Sequence, residues 1–169
     1  KSLKNKSKTE IAKEKKNWFN HKAKKFYKKD TFHFIVESIG IYTNIEIIKK
    51  ACAIIKDKLD NLKTIFMNDA NFIQKSNSTN LNSFTITLPE ETYTIGKIME
   101  YILYNDYYKN GPELSYVGFI KKHPHNKNSI IKIVFTETDG SSVESVQSIL
   151  NYVIEQCKNT INHIDESFG

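Results

Sequence analysis

The stretch that most constrains the fold is residues 143–168, which read VESVQSILNYVIEQCKNTINHIDESF. Its apolar side chains recur three or four positions apart over about six turns, as they do on one face of an α-helix. These side chains are Val143, Val146, Ile149, Leu150, Val153, Cys157, Ile161, Ile164 and Phe168. Ser141 and Glu144 have the spacing of a capping box, which predicts the start of this helix.

A second long stretch, residues 44–67, has the same periodicity. Its stripe consists of Ile45, Ile48, Cys52, Ile55, Leu59, Leu62 and Phe66. Thr43 and Glu46 predict a capping box at its start. Burying one Ile or Leu contributes roughly 1.5–3 kcal/mol before entropy is counted, so two such stripes do not remain in water.

We therefore expect the two long helices to pack against each other and against partner helices in an association module. The expected association residues are Ile48, Cys52, Ile55, Leu59, Leu62, Val146, Ile149, Leu150, Val153, Cys157 and Ile161. The alternative is a monomer in which both helices cover one sheet.

Shorter elements lie around these helices. The β-rich or alternating runs Phe32–Val36, Phe84–Leu88, Leu114–Ile120 and Ile130–Glu137 predict strands. A shorter helix is predicted from Thr94, with Ile95, Ile98, Met99, Ile102 and Leu103 on its apolar face. Turns are predicted around Pro124 and at Asp139–Gly140. The expected class is α+β, with the order strand–helix, then βαββα.

This order predicts four segments. Residues 1–30 form a basic leading segment, and residues 31–67 contain a strand and the first long helix. Residues 68–82 are rich in Asn, Ser and Thr and predict a linker, because Phe72, Ile73 and Leu81 are too sparse for a core element. Residues 83–169 form the second domain.

Composition excludes several classes of protein. Of the 169 residues, 39% are hydrophobic and 26% are charged, which indicates a globular chain rather than a disordered one. No apolar run approaches the length of a membrane span, and the first residues lack the apolar block of a signal peptide. Cys52 and Cys157 are too few for a disulfide scaffold or a cysteine zinc site, and they favour a reducing compartment. Because the chain does not begin with Met, we expect it to be part of a longer protein.

Charge is unevenly distributed. Residues 1–30 carry 12 Lys against three acidic residues, a net charge of +9, whereas residues 31–169 carry 13 Lys against 16 acidic residues, a net charge of −3. All 25 basic residues are Lys, so the bidentate guanidinium that favours phosphate and base recognition is absent. The basic segment with Trp18, Phe26 and Tyr27 is a candidate nucleic-acid site, or alternatively a solvated or partner-facing segment.

No pattern in the chain predicts catalysis. Gly96 lacks the flanking residues of a phosphate loop, and we expect it to let a helix approach the sheet closely. His123 and His125 are too few to predict a metal site, and the Glu90–Glu91 pair is explained by the dipole of the following helix. We therefore expect no catalytic, cofactor-binding or metal-binding residue in this chain. An unrelated α+β enzyme remains an alternative.

Residues 84–124 resemble the eleventh-largest subunit of eukaryotic RNA polymerase II and the archaeal L subunit. The family motif E-D-H-T-L-G-N-x-L is similar to residues 91–99, ETYTIGKIM, and F-x-G-Y-x-x-P-H-P is similar to residues 116–124, YVGFIKKHP. The matching positions include Thr94, Ile95, Gly96, Gly118, Phe119, His123 and Pro124. Tyr93 replaces the motif's His, and Glu100 stands where the family often has Arg.

Residues 32–40, FHFIVESIG, resemble the F-x-F-x-V-E-S-x-G element of the third-largest subunit, or archaeal D, with Glu37 and Ser38 at the matching positions. In that family the element also precedes a long helix with a late Lys-Leu, as in Lys58-Leu59. Both families share the dimerisation fold of the bacterial polymerase α subunit, so the resemblance covers residues 32–168 and implies this α-like fold.

Third-type and eleventh-type elements in one chain imply a fused subunit, here its C-terminal portion. Such fusions are found in large cytoplasmic DNA viruses, African swine fever virus and the poxviruses among them, and the AT-rich codons implied by abundant Lys, Ile and Asn are compatible with that source. The resemblance implies a non-catalytic platform that joins the two large polymerase subunits and binds a small tenth-subunit-like chain. It implies DNA contact only through the complex, no membrane partner, and a location in the host cytoplasm and virion, or otherwise the nucleus. A stand-alone nucleic-acid-binding module that uses residues 1–30 is the alternative.

Overall fold

A computed structural model describes residues 7–28, 31–76, 82–137 and 141–169. The chain divides into a leading unit that ends at Glu37 and a body, Ser38–Gly169. The predicted α+β class is confirmed, because the described residues form four α-helices and a four-stranded antiparallel sheet.

The leading unit is helical over most of its described part. Helix α1, Lys8–Asn17, continues as a π-helical turn, Trp18–Lys22, and a short 3-10 turn, Ala23–Lys25. No residue of these three elements is buried. The predicted strand at Phe32–Val36 is wrong, since residues 31–37 have no regular structure. No strand among the described residues pairs with it, and β-propensity alone cannot satisfy the backbone groups of a strand.

The body is built on one sheet. Its strands are β1, Ile73–Lys75, β2, Ser83–Leu88, β3, Leu114–Ile120, and β4, Ser129–Phe135. Their order is β1-β2-β4-β3, and every neighbouring pair is antiparallel. Side chains alternate between the two faces, so Phe84, Ile86 and Leu88 share the buried face with Ile131 and Ile133.

Three helices complete the body. Helices α3, Tyr93–Leu103, and α4, Val143–Ser167, contact the sheet and each other, and a π-helical turn, Tyr104–Lys109, extends α3. Helix α2, Asn44–Asn68, packs along α4. Leu59, Leu62 and Phe66 of α2 belong to the same buried cluster as the sheet residues. The stretches on either side of the predicted linker therefore share one core.

The linker prediction for residues 68–82 is wrong over its described part. A 3-10 turn, Ala70–Phe72, leads into β1, and Ile73 is only 2% exposed where it pairs with Ile86. A strand of three residues is too short to show alternation, and its stability comes from the edge of a sheet that is distant in sequence. Leu81, the last of the three apolar residues named in the predicted linker, lies outside the described residues.

The start of α2 follows the prediction, and the starts of α3 and α4 do not. The Thr43–Glu46 capping box is confirmed. Helix α4 is capped by Ser142 rather than Ser141, because the Ser142 side chain accepts the Ser145 N–H at 3.1 Å. Both serines are suitable caps by residue type, and Ser142 is the residue with extended backbone angles next to the first helical turn. Helix α3 begins one residue before Thr94, and the predicted Asp139–Gly140 turn lies outside the described residues.

Candidate assembly interface

The predicted association residues lie on α2 and α4, which pack against each other along a seam. Nine of the eleven are buried, and Ile48 and Ile55 are half-buried. The buried ones are Cys52, Leu59, Leu62, Val146, Ile149, Leu150, Val153, Cys157 and Ile161. Because α2 and α4 belong to one chain, this seam is an intramolecular interface.

A series of ion pairs fixes the antiparallel register of the two helices. The pairs are Lys56–Asp165 at 2.9 Å, Lys158–Asp60 at 2.6 Å and Lys63–Glu155 at 2.7 Å. Gln147 Nε2 also donates to the Phe66 carbonyl oxygen at 2.7 Å. Sequence reasoning missed these pairs, although Lys49, Lys56 and Lys63 recur every seven residues, which is the spacing of one helix face.

The ion pairs also shift the titration of their members. The hydrogen bond from Lys63 lowers the pKa of the Glu155 carboxyl, and the hydrogen bond to Asp60 raises the pKa of the Lys158 ammonium. Both shifts favour the charged forms, so the pairs stabilise the helix seam when both partners are ionised.

Another ion pair connects α2 to the corner between β2 and α3. Lys58 Nζ lies 2.9 Å and 3.0 Å from the two carboxylate oxygens of Glu91, whose side chain is 9% exposed. The explanation of Glu91 by the helix dipole is therefore incomplete, because a nearly buried carboxylate is held here by a lysine. Lys58 lies in the helix that follows residues 32–40, and Glu91 is the first residue of the stretch 91–99, so the fold brings the two quoted regions into contact.

The glycines of the second motif allow close packing, as expected for Gly96. A Cβ atom on Gly96 would lie 1.9 Å from the Phe119 ring, so glycine lets α3 pack directly against this ring of β3. The Phe119 backbone N–H donates to Glu100 Oε1 at 2.8 Å. Glu100 therefore satisfies a backbone group of β3, a strand at the sheet edge.

The remaining motif residues lie in turns or at element ends. Ser38 Oγ accepts the Gly40 N–H at 3.1 Å and donates to the Tyr42 carbonyl oxygen, which shapes the loop before α2. Gly40 has φ of 107°, a value that favours glycine. His123 and Pro124 are exposed in the β3–β4 turn, which the Asn126 N–H closes on the His123 carbonyl. Among the others, Glu37 and Thr94 are exposed, and Ile95 is buried.

The far end of the helix pair carries apolar side chains that the body does not cover. Ile45 at the start of α2 is 51% exposed, and Ile164 near the end of α4 is 42% exposed. The neighbouring Ile39, Ile41, Tyr42 and Phe168 are also exposed. We call these six residues the free end. Exposed apolar patches mark surfaces for protein partners, and the free end is a candidate for such a surface.

The described residues contain little that indicates chemistry at a site. A shallow groove of about 640 Å³ lies between Tyr107, Phe135 and Ile149. Burial, with a smaller effect of Glu113, raises the pKa of Tyr107 to about 12, and burial raises the pKa of the Cys157 thiol to about 12. Neither group is therefore poised to lose a proton near neutral pH. Within the described ranges, no three His, Cys, Asp or Glu side chains cluster as metal ligands would, and no helix has the length and apolarity of a membrane span.

No protein-family model matches the chain, and no curated protein is significantly similar to it. The resemblance to polymerase subunits therefore depends on the quoted motifs and on element order.

Proposed function

We propose that this chain is a non-catalytic assembly-platform subunit of a multisubunit DNA-directed RNA polymerase, in which third-type and eleventh-type halves are fused. The observation that carries the proposal is the α2–α4 seam. The long helix that follows the third-type motif packs antiparallel on the long helix that ends the eleventh-type region, with one continuous core beneath them. On this proposal, a pairing that separate subunits would make between chains is made within one chain.

The Lys58–Glu91 pair supports the same proposal. It joins the late lysine of the third-type helix to the first residue of the eleventh-type motif, at 2.9 Å. The Lys58 side chain is 44% exposed, but removing it would leave the nearly buried Glu91 carboxylate without its partner, which is destabilising. The two motif-bearing halves are thus tied by a specific polar contact in addition to apolar packing.

The proposed partners are the two large polymerase subunits and a small tenth-subunit-like chain. The free end supplies an apolar surface that a partner of this kind would cover, with exposed Ile39, Ile41 and Ile45. The proposed location is the host cytoplasm and virion of a large DNA virus, or otherwise the nucleus, and DNA contact is made by the assembled enzyme.

The test is purification of the tagged chain from its source cells. We expect two very large chains to co-purify in fixed stoichiometry and to carry templated RNA synthesis. Replacing Ile164 with Gln at the free end should reduce their recovery, while the control Asn159→Gln, at an exposed position on the same helix, should not. Recovery of the chain without large partners would overturn the proposal.

A nucleic-acid-binding module is the second candidate, because of α1 and the turns after it. Trp18 stacks on Phe26 with 6.1 Å between ring centroids and remains 44% exposed. The unit around it is rich in Lys, and no residue of its helix is buried. If this segment is a nucleic-acid site, removing six Lys should reduce the slope of log affinity for duplex DNA against log salt concentration by about five. On the assembly proposal, binding is weak and is lost near physiological salt. Titration of labelled duplex and single-stranded DNA at two salt concentrations, with Trp18→Ala, separates the two.

A further inference from the structure

The sheet of the body has a second face, opposite the one that joins the core. The strand register places Thr85 and Thr87 of β2, Ile130, Lys132 and Val134 of β4, and Tyr116, Gly118 and Ile120 of β3 side by side on this face. Helices α3 and α4 pack with the buried residues of the other face, and none of the apolar residues on this second face belongs to the core cluster. We call this surface the open face.

The open face has an unusual feature on its edge strand. A Cβ atom on Gly118 would lie 2.4 Å from the Tyr116 hydroxyl, so the tyrosine ring extends along β3 across the glycine. Tyr116 is 48% exposed and Ile120 is 37% exposed. Together with half-buried Ile130 and Val134 they form an apolar strip, in which the Tyr116 side chain occupies the space above Gly118.

The chain segment that forms most of this strip carries charges of one sign. Residues 114–136, which contain β3, the hairpin turn and β4, carry four Lys and no Asp or Glu, whereas the rest of the body has nine Lys against 15 acidic residues. Lys122, Lys127 and Lys132 make no ion pair with any described residue. Lys122 and Lys127 line a groove of about 350 Å³ that also contains Ile130 and Thr87 of the open face.

We propose that the open face binds an acidic amphipathic segment of a protein partner, whose apolar side chains cover the strip while its carboxylates meet the hairpin lysines. Opposite charges at the rim of an apolar patch accelerate association and fix the register of the bound partner. Single-stranded nucleic acid fits the surface less well. Among the described residues of the open face, Tyr116 is the one aromatic side chain. The two central strands present Thr, Ile, Lys and Val there, so successive bases have no stacking platform.

This inference goes beyond the proposed function and does not depend on it, so it is tested on the purified full chain. A random-peptide phage library is selected on the wild-type chain, and the enriched peptides are synthesised. We expect them to combine Asp or Glu with regularly spaced apolar residues and to perturb the NMR signals of Tyr116, Ile130 and Val134. The variant K122E/K127E/K132E should lower their affinity at least tenfold, with a smaller difference at high salt. The matched control K50E/K75E/K109E, which reverses three exposed lysines elsewhere in the body, should retain binding.

A second variant keeps the test decisive if charge reversal disturbs the sheet. Ile130→Thr with Val134→Thr retains β-branched side chains on β4 and removes apolar area from the strip, so thermal unfolding should change little while peptide affinity falls. Enriched peptides without acidic residues, signals perturbed outside the open face, or displacement of the peptides by single-stranded RNA at physiological salt would each overturn the proposal.

Discussion

The two ends of the α2–α4 pair carry the same apolar pattern in different surroundings. At the end over the sheet, which we call the covered end, Leu62, Phe66 and Val153 are at most 2% exposed and belong to the continuous core cluster. At the other end, Ile45 and Ile164 remain largely exposed, and buried Cys52 and Ile161 lie outside that cluster. An apolar stripe on a helix therefore predicts which side chains face a neighbouring element. Packing over the sheet determines which of these side chains belong to the core of this chain.

The largest expected effect is at the covered end. Val153→Asp places a carboxylate at a fully buried position without a partner, which should lower the free energy of unfolding by about 3–5 kcal/mol. Urea unfolding followed by circular dichroism measures this loss. Asn159→Asp adds the same group at an exposed position on the same helix and should change stability by less than about 0.5 kcal/mol. Equal stability of both variants would contradict the assignment of Val153 to the core.

The two cysteines allow the local stability of the two ends to be compared in the wild-type chain. Cys157 is fully buried in the core cluster, and Cys52 is 5% exposed beside the free end. Local opening of the free end exposes Cys52, whereas Cys157 needs near-global unfolding, so a neutral thiol reagent should label Cys52 about 100-fold faster. Mass spectrometry of the labelled peptides over time gives both rates. Equal rates would mean that the helix pair opens as one unit and that its two ends do not differ in stability.

The packing of α3 on β3 depends on Gly96. Gly96→Ala would place a methyl group into the Phe119 ring, and the ring must move away from its contact with Tyr93. Because alanine also improves helix propensity, the expected net loss is about 1 kcal/mol. In a Phe119→Leu background the same substitution should be neutral or stabilising. A loss of the same size in both backgrounds would show that the cost does not come from this contact.

Sequence patterns were sufficient for long elements and insufficient for elements that depend on distant partners. The stripes from Ile48 to Phe66 and from Val146 to Ile161 predicted both long helices, because every apolar position in a long stripe supports the same helical period. The strand predicted at Phe32–Val36 and the linker predicted over Ile73 were both wrong for one reason. Strand formation depends on whether another strand is available for pairing, and neither propensity nor alternation over a few residues contains that information.

The candidate site shows the same limit. The apolar residues of the seam were predictable from spacing, but the Lys58–Glu91 pair was not, because it joins positions 33 residues apart whose approach depends on the turn between β2 and α3. The role of Glu100 at the edge of β3 was also missed. Its bond to the Phe119 N–H follows from the tertiary position of α3.

Substitutions at the free end should change the stability of the chain little and should weaken its assembly with partner chains. Ile164→Gln removes an apolar side chain that is 42% exposed, so the free energy of unfolding should change by less than about 1 kcal/mol. Recovery of large partner chains should nevertheless fall, because the partner loses buried apolar area. Parallel measurement of urea unfolding and co-purification separates these effects. A variant that loses stability as Val153→Asp does would show that the free end is a core element of the isolated chain.

The smallest expected effect is the pH dependence of the ion pairs along the seam. The hydrogen bond from Lys63 lowers the pKa of Glu155 in the folded chain, so this pair stabilises the fold above the unfolded pKa and loses its contribution as the pH falls through the folded pKa. For Lys158 the folded pKa is raised by Asp60, so that contribution is present below the unfolded pKa and is lost in strongly alkaline solution. Both pairs are partly exposed and screened, so each should contribute about 0.2–1 kcal/mol at neutral pH. Glu155→Gln should therefore be slightly less stable than the wild type at pH 7 and equally stable below the folded pKa. Glu166→Gln, at the exposed end of the same helix, is the matched control, and an undiminished difference between Glu155→Gln and the wild type in acid would contradict the role of the pair.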